Sequence, residues 1–173
     1  MTTRVLISFF CDDRPGVTQQ LSEAVALCDG NWLDSQLSRL GGRFAGVLQA
    51  QVPVDRRSEL ESALATLAED GITATLTDAG DAQPRPIAVR RLTLVGPDRP
   101  GIVHELTRSL HSAGFNLQSL DTSVESAPMS GELLFRAIAR IELLEGGRLD
   151  QLEWQLDAMA DAMTLDIDLL DDD

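Results

Sequence analysis

The chain has 173 residues, 43% hydrophobic and 24% charged, which is the composition of a folded globular protein, and its formal net charge of −14 repels a phosphate backbone. Every one of its 14 basic residues is Arg, and the absence of Lys excludes Schiff-base chemistry and a Walker-type phosphate lysine. No apolar stretch approaches the roughly 20 residues of a membrane helix, and the N-terminal MTTRVLISFF runs into Asp12 and Asp13 without a small-residue cleavage site, so a cytoplasmic location is expected.

Along the chain, the apolar run 5–10 reads as a first strand and ends at Asp13-Arg14-Pro15-Gly16. Behind that loop Val17, Leu21, Val25 and Cys28 step by i, i+4, i+8 and i+11, one face of an amphipathic helix. A second strand begins near Asn31 and runs to Gly41-Gly42, a pair suited to a tight hairpin with positive φ; the returning strand is 43–52, ending at Pro53. A second helix carries Leu60, Ala63, Leu64 and Leu67 on one face, and a last strand is expected over 72–77. Residues 79–86, AGDAQPRP, have the composition of a linker, since proline resists both helix and central strand.

The pattern then repeats. Asp98-Arg99-Pro100-Gly101 stands 85 residues after the first loop, between a strand at 92–95 and a helix whose Ile102, Leu106, Leu110 and Ala113 match the first helix face; Asn116 matches Asn31. The second hairpin is longer, through 126–131, and the offset between copies is expected to grow from 85 to 89 beyond it. Leu149, Leu152, Leu156 and Ala160 share a face of the last helix, a strand is expected at 163–169, and the final DDD reads as a solvated tail. Each copy is therefore strand, helix, strand, strand, helix, strand. The expectation is an α+β fold with two tandem ferredoxin-like (βαββαβ) domains and antiparallel sheets, at 1–79 and 88–173, joined by a linker at 80–87.

Each Asp-Arg-Pro-Gly loop opens a helix, with Asp13 and Asp98 as candidate N-caps. The pattern has two readings. It is a good helix start needing no ligand, and it is also a set of bare N–H donors with a favourable dipole, suited to a carboxylate. Occurrence in two copies, each with an Asn after the helix, brings the second reading level with the first. Cys11 and Cys28 lack metal or redox spacing and read as reduced core thiols; Trp32 and Trp154 read as packing residues; His104 and His111 read as solvent-facing. Asp166 and Asp168 alternate on a solvated strand face. No catalytic constellation, metal-ligand cluster or cofactor motif emerges, and no enzyme is expected. Both halves are acidic, with 6 Arg against 11 Asp plus Glu up to residue 79 and 8 against 17 after it, so direct DNA binding is not expected.

DRPGV at 13–17 and DRPGI at 98–102, each between an apolar strand and an amphipathic helix and each followed by an Asn, resemble the ACT domain. Two such domains with nothing appended, together with GNWLDSQLSRLGGRFAGVL at 30–48, resemble more narrowly the glycine cleavage system transcriptional repressor family. The resemblance implies regulation by a small amino acid, glycine among the candidates, held at interfaces between ACT domains. By position, the implied ligand-binding residues are Asp13, Gly16, Val17 and Asn31 in the first copy and Asp98, Gly101, Ile102 and Asn116 in the second. It also implies repression through a protein partner, a DNA-binding transcriptional activator, and association as a homo-oligomer. A different class of function uses the same domains as a regulatory subunit or assembly module of an amino-acid metabolic enzyme.

Overall fold

The computed structural model describes residues 1–80, 86–127 and 131–171, and divides into two compact units, Met1–Ala82 and Gln83–Asp173. Most of the expected linker and the tip of the second hairpin lie outside the described residues.

In the first unit the elements are β1 (Thr2–Asp12), α1 (Val17–Leu27), β2 (Asn31–Leu40), β3 (Arg43–Pro53), a single 3-10 turn (Val54–Arg56), α2 (Arg57–Thr66) and β4 (Thr73–Asp78). The sheet order is β2-β3-β1-β4, antiparallel throughout. Val5, Ile7, Phe9 and Cys11 alternate along β1 and point under the helices, where they meet Leu48, Ala50 and Val52 of β3 and the buried face Val17, Leu21 and Val25 of α1. A fully buried Leu or Ile contributes roughly 1.5–3 kcal/mol, so this shared layer holds the helices on one face of the sheet. Gly41 and Gly42 turn the hairpin at φ 58 and 77, the left-handed pair such a turn demands.

The second unit repeats the plan with β5 (Ala88–Pro97), α3 (Ile102–Ser112), β6 (Phe115–Ser126), β7 (Leu133–Leu143), α4 (Leu149–Met163) and β8 (Asp166–Asp171), in sheet order β6-β7-β5-β8. Each unit is a βαββαβ α+β domain with its own core, and both edge hairpins carry an irregularity at the same place, between Trp32 and Ser35 and between Leu117 and Ser119.

Three expectations change. The strands at the start of each unit run further than their apolar runs, because pairing with β3 or β7 continues to Asp12 and Pro97. The last strand begins at Asp166, not 163, because α4 continues to Met163 and ends at Thr164, whose φ of 59 is left-handed. The offset between copies is larger than 89. Ile7 pairs Leu48 where Leu92 pairs Ala139, an offset of 91, and Ile7 pairs Leu76 where Leu92 pairs Leu169, an offset of 93. Gly71 therefore corresponds to Thr164 and Asp70 to Met163. Both helices close alike, with Ile72 N donating to Leu67 O and Leu165 N to Ala160 O.

Candidate functional site

In the first unit the loop is fixed from two sides. The Asp13 N–H donates to Gly42 O at 3.1 Å, tying the loop to the β2–β3 hairpin, while Arg14 crosses to the far end of α2 and donates to Gln20 Oε1 and Asp70 O, each at 2.9 Å. Pro15 and Gly16 then turn the chain into α1. Gly16, at φ 94 and ψ −9, is the residue preceding the helix, and no side chain caps it. The expectation that Asp13 caps the helix is corrected: Pro15 and Gly16 intervene, and the Asp13 carboxylate instead meets Arg39 Nε at 3.2 Å. The same holds in the second unit, where Gly101 at φ 97 precedes α3 and Asp98 does not cap it. A first helical turn has N–H groups with no intrahelical partner. With no side chain over it, this one keeps its donors accessible.

A hollow of ≈ 290 Å³ opens at this point, lined among others by Asp13, Gly16, Thr18, Gln19, Arg39 and Phe44. It presents an uncapped helix N-terminus and a guanidinium beside one carboxylate, so it offers donors to an anionic group and an acceptor to an ammonium. Arg39 and Phe44 were not singled out by the sequence. They face each other across the hairpin, and the Gly41-Gly42 turn was the signal that their strand ends return to the end of β1. Val17, the expected third partner, is buried beneath the loop and can supply only its backbone.

Asn31 is not brought to this hollow. It sits at the other end of α1, level with Gln51, and the 11 residues of α1 alone span about 16 Å. Asn116 is likewise at the far end of α3, where its amide donates to Glu142 Oε2 at 3.1 Å. Within one unit, loop and Asn cannot touch one small ligand.

The second loop has different neighbours. Asp98 N donates to Leu133 O at 2.9 Å, and Val124, half exposed, stands at the position of Arg39. Pro100 and Gly101 instead border a larger groove of ≈ 750 Å³ between α3 and α4. Trp154 is on its rim and 70% exposed, which corrects the expectation that it packs; Trp32 does pack against the first core. Gly96 stands where the first unit has Cys11 because a Cβ there would come within 2.9 Å of Thr164 O. Cys11 and Cys28 are free and buried, and burial pushes both thiols above their ordinary range. His104 and His111 are exposed. Among the described residues no cluster of metal-ligating side chains occurs, and no helix is long and apolar enough to cross a membrane.

Residues 3–79 match the family model of the ACT domain. A crystal structure of an unknown protein from Galdieria sulphuraria superposes over 100% of both chains with a TM-score of 0.85 at 27% identity. A candidate glycine cleavage system transcriptional repressor superposes over 98% of this chain and 96% of its own, with a TM-score of 0.70 at 19% identity. No curated protein matches the chain. The two βαββαβ units are thus shared with these two proteins, and the first unit matches the ACT domain model.

Proposed function

We propose that the chain is an amino-acid-sensing regulatory protein, a repressor of glycine cleavage genes that acts through a protein partner; what supports this is the match of residues 3–79 to the ACT domain and the repetition of its fold in the second unit. The observation that carries the reading is the hollow at the first loop. A free α-amino acid is a zwitterion, and the uncapped N-terminus of α1 with Arg39 suits its carboxylate while Asp13 suits its ammonium. The small volume favours a short side chain, glycine among the candidates. A ligand that also meets Asn31 takes that residue from a different domain, supplied by a second copy of the chain, which is why a homo-oligomer belongs to this reading. The net charge of −14 supports repression through a DNA-binding activator in preference to direct contact with DNA.

Isothermal calorimetry of the full chain with glycine, serine and alanine tests the sensing. Saturable heat is expected, weakened at least tenfold by Arg39→Ala and by Asp13→Asn. Absence of heat at millimolar ligand refutes it. Deleting the gene and measuring glycine cleavage transcripts tests the target, for which a rise is expected and no change is contrary.

A further inference from the structure

From the groove between α3 and α4 we infer that the second unit is a docking surface for a basic amphipathic helix of a protein partner. The two units differ at this place. In the first, Arg14, Gln20 and Asp70 bridge the helices: the Gln20 amide donates to Asp70 Oδ2 at 2.9 Å and Arg14 donates to both. The corresponding residues in the second unit are Arg99, Glu105 and Met163. Glu105 turns to Arg108 on its own helix, and the Met163 side chain offers no acceptor in place of the Asp70 carboxylate. At this end the gap is left open and mostly apolar; the two helices are bridged further along, where Ser112 Oγ donates to Gln155 Oε1 at 3.0 Å and Gln151 Nε2 donates to Ser112 O at 3.2 Å.

Trp154, Ala158 and Ala162 fall at i, i+4 and i+8 along α4 and are all exposed on the groove, with Met159 and Ser109 deeper in it. Two small residues behind one exposed indole make depressions for bulky apolar anchors beside an aromatic contact. The adjoining row of the same helix is Glu153, Asp157 and Asp161, all exposed, and none forms an ion pair among the described residues. An apolar groove along an unneutralised acidic stripe is complementary to a helix with Leu-like residues on one face and Lys or Arg beside them. The 11 residues of α3 give it a length of about 16 Å, three helical turns. A second copy of the chain is the poorer occupant, since twofold packing of this face sets one acidic stripe against another.

This assigns chemistry to the protein partner proposed above, but its test contains no amino acid, so failure of sensing and failure of docking are separate results. In the Trp32→Phe variant Trp154 is the only indole, and the probe is an amphipathic Leu/Lys peptide of about 18 residues, long enough to fill the groove. A saturable blue shift of the Trp154 emission is expected, reduced by salt, with affinity about tenfold weaker in Ala158→Arg and in the triple variant Glu153→Lys, Asp157→Lys, Asp161→Lys. Calorimetry of the same peptide with Trp154→Ala in the otherwise natural chain repeats the test without Trp32→Phe, and circular dichroism confirms folding of each variant. Equal binding by a scrambled peptide of the same composition, retained affinity in Ala158→Arg, or no shift overturns the inference. A blue shift that grows with protein concentration alone overturns it in favour of a second copy.

Discussion

Replacing Gly16 by Ala tests whether the left-handed turn, and not a side-chain cap, sets the loop. At φ 94 and ψ −9 an L-residue is strained, while a Cβ built there meets nothing within 4 Å. The whole cost is therefore torsional, roughly 1–2 kcal/mol. Ala also narrows the unfolded ensemble, which returns about 0.4–1 kcal/mol, so the net destabilisation is about 1 kcal/mol. For a domain of this size that lowers the melting midpoint by about 4–8 °C. Gly101→Ala, at φ 97 with the same open surroundings, should behave alike in the second unit. Thermal unfolding of the full chain, followed by far-ultraviolet circular dichroism, reads both. An unchanged or raised midpoint in either variant refutes the assignment of the turn.

The same logic with opposite sign applies to Thr164, which holds φ 59 where the first unit has Gly71 at φ 78: Thr164→Gly should stabilise by about 0.5–1 kcal/mol, and a lower urea midpoint would count against it. Gly96→Ala brings a Cβ to 2.5 Å from Leu165 Cδ2 and 2.9 Å from Thr164 O, so about 1–3 kcal/mol of stability should be lost by overpacking, checked by urea unfolding. Cys11 and Cys28 are buried and their thiols raised by that burial, so a thiol reagent near pH 8 should label neither until the chain is unfolded. The folded state then holds those protons to higher pH than the unfolded one. Stability from this source is complete below about pH 8.5 and is lost as pH rises past it, which urea midpoints in wild type and in Cys11→Ala with Cys28→Ala should show as a steeper alkaline decline in the wild type.

The parts legible in the sequence are those where a local period reports a local choice. Val17, Leu21, Val25 and Cys28, and Ile102, Leu106, Leu110 and Ala113, are all buried, because a helix face repeats within the segment that forms it. Gly41-Gly42 placed its hairpin for the same reason. The offset of the later elements is not legible because a helix face cannot distinguish it: Leu149 and Leu152 both pack toward the core, so matching Leu60 to either preserves the stripe. Strand pairing separates the two, of β3 and β4 with β1 and of β7 and β8 with β5, and that information is nonlocal. Spacing alone makes Asp13 a cap candidate; the partner that its carboxylate meets, Arg39, is 26 residues further on and arrives through the hairpin. The groove at Trp154 was invisible for a like reason, since its opening depends on which residue of α4 faces Glu105.

The two copies keep the loop and its left-handed glycine but differ in what surrounds it. Arg39 beside Asp13 gives the first loop both charges a zwitterion requires, and Arg14, Gln20 and Asp70 seal the helices behind it. In the second, Val124 in place of Arg39 removes the guanidinium that faces the loop from the hairpin, and Met163 in place of Asp70 leaves the helices unbridged at the loop end. On the function proposed above, the differences that separate the two loops are thus accompanied by those that open the groove. Duplication makes this possible because each unit has its own core, and changes at the loop or helix surface leave the buried layer of the other copy untouched. It follows that Arg39→Ala should impair amino-acid binding while leaving peptide docking intact, and Ala158→Arg should do the reverse; a single variant that abolishes both would contradict this division.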